Sequence, residues 1–399
     1  MKRIGLTLVA MVAALSASAQ YYQDAVNKEM LHIRQPRTVQ RTEFIIPAID
    51  GYTAYKADLH THTIFSDGHL SMESRIREAW KDGLDVMAVT EHLEYRPHEK
   101  DLVKYMEGGY IAKGTKTQAN SFVSKNFPEK GAIKVNLNYP VELATKIANN
   151  YDITIIPGIE ITRKPDGVYT HLNALFTKDN NTIYDPDPMQ STRNAKAQGA
   201  LIMHNHPGWM RTDMKPSKFD KAIYKEGLVD GIEIMNGIEF YPKAITRAKE
   251  LNFFMSANTD AHHPTAERYA EYGEHRNFTI IFAKDKSLES IREALEARRT
   301  LACSFGVLAG DEALLRKVVE ASLIVRQISN DAKGRKRIIV TNNSSIRWII
   351  ARDGQRTEEL RPHSSQIYTA KSKDNSATLL NTWYGEDSHI VIDLFGLAK

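Results

Sequence analysis

Histidine and carboxylate residues recur at the ends of short, β-branched runs along this sequence. The first run closes in Asp58-Leu59-His60-Thr61-His62. Successive side chains of an extended chain point to opposite faces, so His60 and His62 point the same way and aim two imidazoles at one ion. Asp67 follows in Phe65-Ser66-Asp67-Gly68, a turn that can swing a carboxylate back over the same point. Further runs end in Thr90-Glu91-His92, Gly158-Ile159-Glu160, Met203-His204-Asn205-His206-Pro207 and Asn258-Thr259-Asp260-Ala261-His262, and one opens with Thr170-His171-Leu172. His-x-His alone is weak evidence for a metal, and a single histidine at a strand end is usually a packed or surface residue. The concurrence is what points to metal, because His32, His275, His363 and His389 fall in segments without such register. Cys303 is the single cysteine, which leaves neither an internal disulfide nor a cysteine-built zinc site; ligands must come from His, Asp and Glu.

Residues spaced in this way need a scaffold whose strands end at one rim. From about Tyr55 to Val319 strand-like runs alternate with amphipathic stretches. The strands are expected at Tyr55–His60, Asp85–Thr90, Thr154–Ile161, His171–Phe176, Ala200–Met203, Asp230–Met235, Phe253–Asn258 and Phe278–Phe282, and the helices at Ser71–Asp82, Val141–Asn149, Pro216–Glu226, Pro242–Glu250 and Ser287–Arg298. This alternation predicts an α/β fold with a parallel sheet covered by helices, in enough units to close a barrel whose reactive groups collect at the carboxyl ends of the strands. After about Val319 short β-rich segments separated by turn formers predict a small all-β sandwich. The domains therefore read as residues 1–19, 20–318 and 319–399. The stretch Glu94–Asn138, rich in Lys, Gly and Asn, reads as a lid or substrate loop.

The chain has 399 residues, 42% apolar and 26% charged, a composition that excludes disorder and a multi-span membrane protein. Lys and Arg outnumber Asp and Glu by only 53 to 49, too small a surplus to expect a long nucleic acid as partner. The N-terminus carries Lys2-Arg3, an apolar core from Ile4 to Leu15 and Ser16-Ala17-Ser18-Ala19. That is the pattern of a signal peptide over residues 1–19, with no cysteine to anchor a lipid, so a secreted or periplasmic protein is expected.

The ordered runs Asp58-Leu59-His60-Thr61-His62-Thr63 with Ser66-Asp67-Gly68, then Thr90-Glu91-His92, Gly158-Ile159-Glu160, His206-Pro207 and Thr259-Asp260-Ala261-His262 resemble the motifs of the polymerase-and-histidinol-phosphatase (PHP) superfamily. The resemblance spans nearly the whole barrel region. It implies a distorted (β/α)7 barrel holding two or three divalent ions, Mn, Zn or Fe. One ion would take His60, His62, Glu160 and Asp260; a second Glu160 as a bridge with His171 and His206; a third Asp67, His92 and His262. Glu91 stands where the motif more often has Asp. The leader, the run Glu91-His92-Leu93-Glu94-Tyr95-Arg96-Pro97-His98 and the β-rich tail, read as an Ig-like sandwich, further resemble the Sphingobium-type phosphodiesterase subfamily.

Ions roughly 3.5–4 Å apart can share a hydroxide and clamp both the attacking and leaving oxygens of a displacement at phosphorus. The expected function is thus an exported metal-dependent phosphodiesterase acting on a small-molecule phosphoester through a metal-bridged hydroxide, with Glu160 as the bridging catalytic carboxylate. An amide or carbamate hydrolase on the same barrel is the alternative, and a non-catalytic protein binding through its sandwich the third. His204 could protonate a leaving alkoxide, support a ligand or be structural. Arg163, Arg96 and His98 are candidate substrate contacts, or solvated surface groups. Tyr95, Tyr169 and Trp209 flank the motifs as pocket or packing residues. Nothing in the sequence sets the oligomeric state.

Overall fold

The computed structural model describes residues 40–106, 109–110, 135–352, 355–370 and 375–398. The leader and residues 111–134 of the expected lid lie outside them. Strands and helices follow in the order β1 Thr53–Asp58, α1 Met72–Lys81, β2 Val86–Val89, α2 Glu99–Tyr105, α3 Tyr139–Ala148, β3 Thr154–Arg163, β4 Thr170–Leu175, α4 Pro188–Ala197, β5 Leu201–His204, α5 Lys218–Lys225, β6 Gly231–Asn236, β7 Glu239–Phe240, α6 Pro242–Leu251, β8 Phe254–Asn258, α7 Thr265–Tyr269, β9 Phe278–Ala283 and α8 Leu288–Glu296. A hairpin of β10 Thr300–Ser304 and β11 Val307–Gly310 leads to α9 Glu312–Ser322. Every expected strand and helix of this region is present. Side-chain caps explain where several helices begin: Ser71 accepts from the Ser74 amide, Ser287 from Ser290, and Ser217 forms a capping box with Asp220.

These strands build one curled sheet in the order β11-β10-β9-β1-β2-β3-β4-β5-β6-β7, with β8 also on β6. The curl brings β8 back to β1, where the Asp260 amide donates to the His60 carbonyl at 3.0 Å and the His62 amide to that of Ala261 at 3.2 Å. Thr279 ties β9 to β8 by accepting from the Ala257 amide and donating to its carbonyl. Apolar strand residues such as Ala57, Ile156, Met203 and Phe254 fill the interior.

The sheet is mixed, which corrects the expectation of parallel strands. Pairs β1–β2, β2–β3, β5–β6 and β6–β8 are parallel, but β3–β4, β4–β5 and β1–β9 are antiparallel. Residues 164–169 joining β3 to β4 are too few for a helical crossover, which takes a dozen or more. The resulting hairpin sets Thr162 opposite His171 and Glu160 opposite Asn173. A residue that opens its strand therefore stands at the same rim as one that closes its own.

The last helix, α9, runs directly into β12 Leu323–Ile328. Antiparallel β12, β13 Arg337–Asn342 and β16 Ser365–Thr369 form one small sheet, and β15 Glu358–Leu360, β14 Trp348–Arg352, β17 Ser376–Leu379 and β19 Ile390–Asp393 another. Burial alternates along β13 and β14, with Ile338, Val340, Trp348 and Ile350 inside. A two-residue strand, β18 Thr382–Trp383, leaves these sheets and pairs in parallel with β11 of the large one. Among the described residues no helix is long and apolar enough to cross a membrane.

Arg75 on α1 is fully buried and binds three carbonyls at the ends of β1 and β8: Nε donates to His62 at 3.2 Å, Nη2 to Ala261 at 2.8 Å and Nη1 to His263 at 3.1 Å. Glu78 balances its charge at 2.6 Å. Substituting Arg75→Met strands those carbonyls and the Glu78 carboxylate, and is expected to cost about 3 kcal/mol, read as a lowered denaturant midpoint with unchanged slope.

Candidate metal centre

Three groups of ligand atoms gather at the rim: His62, Asp67, His92 and His262; His60, Glu160 and His206; and His60, His62 and Asp260. Glu160 stands between them. Its Oε1 lies 3.4 Å from His60 Nε2, 3.3 Å from His171 Nδ1 and 3.8 Å from His206 Nε2, while Oε2 lies 3.4 Å from His62 Nε2 and 2.7 Å from His92 Nδ1. Asp260 Oδ1 is 3.3 Å from His60 Nε2 and 3.1 Å from His62 Nε2, and Asp67 Oδ1 is 3.3 Å from His92 Nε2 and 3.1 Å from His262 Nε2.

The backbone explains how these side chains converge. His206 and Asp260 both adopt positive φ, 26° and 50°, where the chain turns sharply off a strand. Glu233 holds the first turn by accepting the His206 amide at 2.7 Å. The Asp67 turn folds back so closely that a Cβ on Gly68 would lie 2.7 Å from the His62 carbonyl carbon, so only glycine fits. Glu91 fastens that turn, accepting from Thr63 Oγ1 and Ser66 Oγ at 2.5 Å each.

The donor set fits divalent ions. His60 Nδ1 faces the Glu233 carboxylate at 2.9 Å, which places the ring proton there and turns the Nε2 lone pair inward. That lone pair meets His62 Nε2 at 3.1 Å and the oxygens of Glu160 and Asp260. His262 is fixed likewise by donating from Nδ1 to the Asp260 carbonyl at 2.9 Å, with Nε2 facing Asp67. Buried His171 Nε2 has no hydrogen-bond partner. Lone pairs converging at such distances repel one another unless a cation lies among them.

Protons can supply the same positive charge: burial works to lower His60 and His92, but Asp260 and Glu233 beside His60, and Glu160 and Asp67 beside His92, hold both well above the usual imidazole range. Burial works to raise the Glu160 carboxyl, but His92 and His60 beside it hold it well below the usual carboxylate range. Burial also opposes ionisation of Asp260, and His60 and His62 outweigh it. Burial and the neighbouring imidazoles of His92 and His262 push His62 down to about 3, leaving it neutral as a ligand must be.

A cavity of about 530 Å³ opens onto Asp67, His92, Glu160, His171, His206, Asp260 and His262. Its outer wall includes Tyr95, Tyr169, Trp209 and Ile238. His204 does not join the site. Strand β5 ends at His204 and the chain then turns through His206, so the alternation expected to carry both to one face stops; His204 Nδ1 lies 2.5 Å from Tyr224 Oη on α5. Burial, with Arg211 and Arg247 nearby, pushes it down to about 3, and it is not among the residues that line the cavity. Arg163 is held by Glu94 at 2.7 Å and the Asp185 carbonyl at 2.6 Å, and Arg96 is buried against Glu99 at 2.6 Å. His98 stands at the start of α2, its ring beside that of His69. None of Arg163, Arg96 and His98 lines the cavity; Glu94 and Glu99 claim the two arginines.

Three contributors escaped the sequence reading. Glu233 lies mid-strand in β6 with no motif around it, although a buried glutamate inside an apolar strand was a usable signal. Arg75 hides in an amphipathic helix. Arg268, on α7, lines the cavity and donates to the Thr259 carbonyl at 3.3 Å.

The family model of the PHP domain matches residues 58–288. A two-domain protein from Bacteroides vulgatus containing a predicted PHP-like metal-dependent phosphoesterase is 32% identical, with 88% of this chain and 98% of that chain covered at a TM-score of 0.76. A putative metal-dependent phosphoesterase from Bifidobacterium adolescentis is 15% identical over 53% of this chain and 90% of its own, at a TM-score of 0.37. A lesion-specific endonuclease from Pyrococcus furiosus is 18% identical over 65% and 60%, at 0.38. No curated protein matches the sequence.

Two outcomes follow from this geometry. Glu233→Gln removes the charge that fixes the His60 tautomer and is expected to weaken metal retention roughly 10- to 100-fold in chelator competition, with circular dichroism unchanged. The buried Cys303 thiol is pushed up to about 12, mainly by burial, so a thiol reagent at pH 8 should leave the native chain unlabelled and label it fully once unfolded.

Proposed function

This chain belongs to the PHP domain family, and from that premise we propose that it is an exported metal-dependent phosphodiesterase hydrolysing a small organic phosphodiester. The observation that carries the reading is Glu160, a fully buried carboxylate whose two oxygens face different histidine groups. On this reading the curled sheet is a distorted (β/α)7 barrel within residues 20–318, residues 319–399 are an Ig-like sandwich, and residues 1–19 direct export to the periplasm or outside the cell. The proposed partner is a small phosphoester rather than a long nucleic acid, and the Sphingobium-type subfamily is the nearest proposed relation.

His60, His62 and Asp260, with Glu160, would hold one ion; Glu160, His171 and His206 a second; Asp67, His92 and His262 a third. Mn, Zn and Fe each suit these ligands. Two or three such ions, when bound, supply Lewis-acid activation of water and neutralise charge at a phosphoryl group. The chain itself does the rest. Glu233 and the Asp260 carbonyl fix the tautomers of His60 and His262. Asn205 orients Glu160 by donating to Oε1 at 2.9 Å while bonding Asn173. Arg268 lines the mouth, bonded to the Thr259 carbonyl, and can meet a non-bridging phosphate oxygen there. The aromatic and aliphatic wall keeps water from one side of the substrate and suits an organic substituent.

Elemental analysis of the purified chain should find two or three divalent ions. Glu160→Gln should lower turnover of bis(p-nitrophenyl) phosphate by roughly 10²- to 10³-fold or more. Wild type should prefer the diester to p-nitrophenyl phosphate. A metal-loaded wild type that cleaves aryl carbamates and no phosphodiester would overturn this reading in favour of an amide or carbamate hydrolase.

Arg268→Ala is expected to raise KM for the diester about ten-fold with a smaller change in kcat, as loss of a contact made to substrate and transition state alike. Steady-state kinetics on the metal-loaded protein checks it.

A further inference from the structure

The mouth of the metal centre is divided. Ile238 and Arg268, together with His262, line both the cavity of about 530 Å³ and a second one of about 320 Å³. The second also takes in Pro264 and Tyr272. Asp67, His92, Glu160, His171, His206 and Asp260 line the larger cavity alone, and His262 lines both, so a phosphorus atom held at these groups sits in the larger chamber with the smaller one adjoining it past His262, room for a second ester arm.

The larger chamber is built for a flat arm. Trp209 stands in its wall with 37% of its surface exposed. Three rings brace the indole: Tyr169 at 5.1 Å between centroids and 62°, His171 at 5.4 Å and 49°, and His206 at 5.4 Å and 68°. Lys164 Nζ covers Tyr169 at 4.3 Å, which steadies the brace from its far side. Two of the bracing rings face Glu160, so the indole is fixed relative to the reacting centre. A ring stacked about 3.5–4 Å from the indole lies one ester linkage away from those groups. No ordering of the wall is needed when the ring arrives, because the neighbours already hold it.

We propose that Trp209, braced by Tyr169, is the specificity platform of this site and that the substrate is a phosphodiester carrying a planar aromatic group on one arm, with the second arm directed past His262, Ile238 and Arg268 into the smaller chamber. This rests on the phosphodiesterase reading above and adds the class of ester to it.

The test uses metal-loaded full-length protein and two diester mimics without a cleavable ester that differ only in a ring, methyl(phenyl)phosphinate and dimethylphosphinate, with Kd measured by calorimetry. Wild type should bind the phenyl compound about ten-fold more tightly. Trp209→Ala should bring that ratio near one, and Trp209→Phe should keep most of it. If Trp209→Ala fails to retain metal, Tyr169→Leu, which unbraces the indole, should reduce the ratio several-fold. A wild-type ratio near one, or a ratio unmoved by these variants, overturns the platform while leaving diester turnover intact. Absence of bis(p-nitrophenyl) phosphate turnover by the same preparation overturns the phosphodiesterase reading, and with it the assignment of the ring to a diester substrate.

Discussion

A carboxylate with no exposure to solvent has to be compensated inside the protein, and Glu160 is such a group. Five imidazoles surround its two oxygens. Burying a lone anion would be costly enough to protonate it; the histidines hold it charged instead. The arrangement works only if every ring presents the correct nitrogen. Much of the rim can be understood as the means of satisfying that one requirement.

Those means are spread over distant parts of the chain. Glu233, from β6, sets His60 and anchors the turn that carries His206. Glu91, just past β2, grips the turn that carries Asp67. Arg75, from α1, ties the ends of β1 and β8 where four ligands cluster. Strained φ values at His206 and Asp260 persist because these bonds over-determine them.

The ligand residues were legible because period-two alternation and strand ends are local facts of sequence, and the β-branched runs marked those ends. Alternation failed at His204, where the strand stops before His206; a one-residue difference in where extension ends reverses a side chain. It also said nothing of strand direction, which the short 164–169 connection decides. Arg163 and Arg96 were misread for another reason. A charge near a motif is as readily spent on Glu94 or Glu99 as on a ligand, and that choice depends on contacts between separate segments. The apolar run around Glu233 marks it as unusual but does not name its partners, which arrive from the segments after β1 and β5, and the contact of Arg268 comes from the turn after β8.

The pairing of β18 with β11 has a bearing beyond architecture. An open sheet exposes backbone donors and acceptors along its outer strands, and such edges recruit other chains into intermolecular pairing. At one end of the large sheet the outer strand, β7, is only two residues long. At the other, β11 would be bare, and two residues of the C-terminal segment close it. Two residues of the tail thus occupy pairing positions that an outer strand would otherwise offer to another chain.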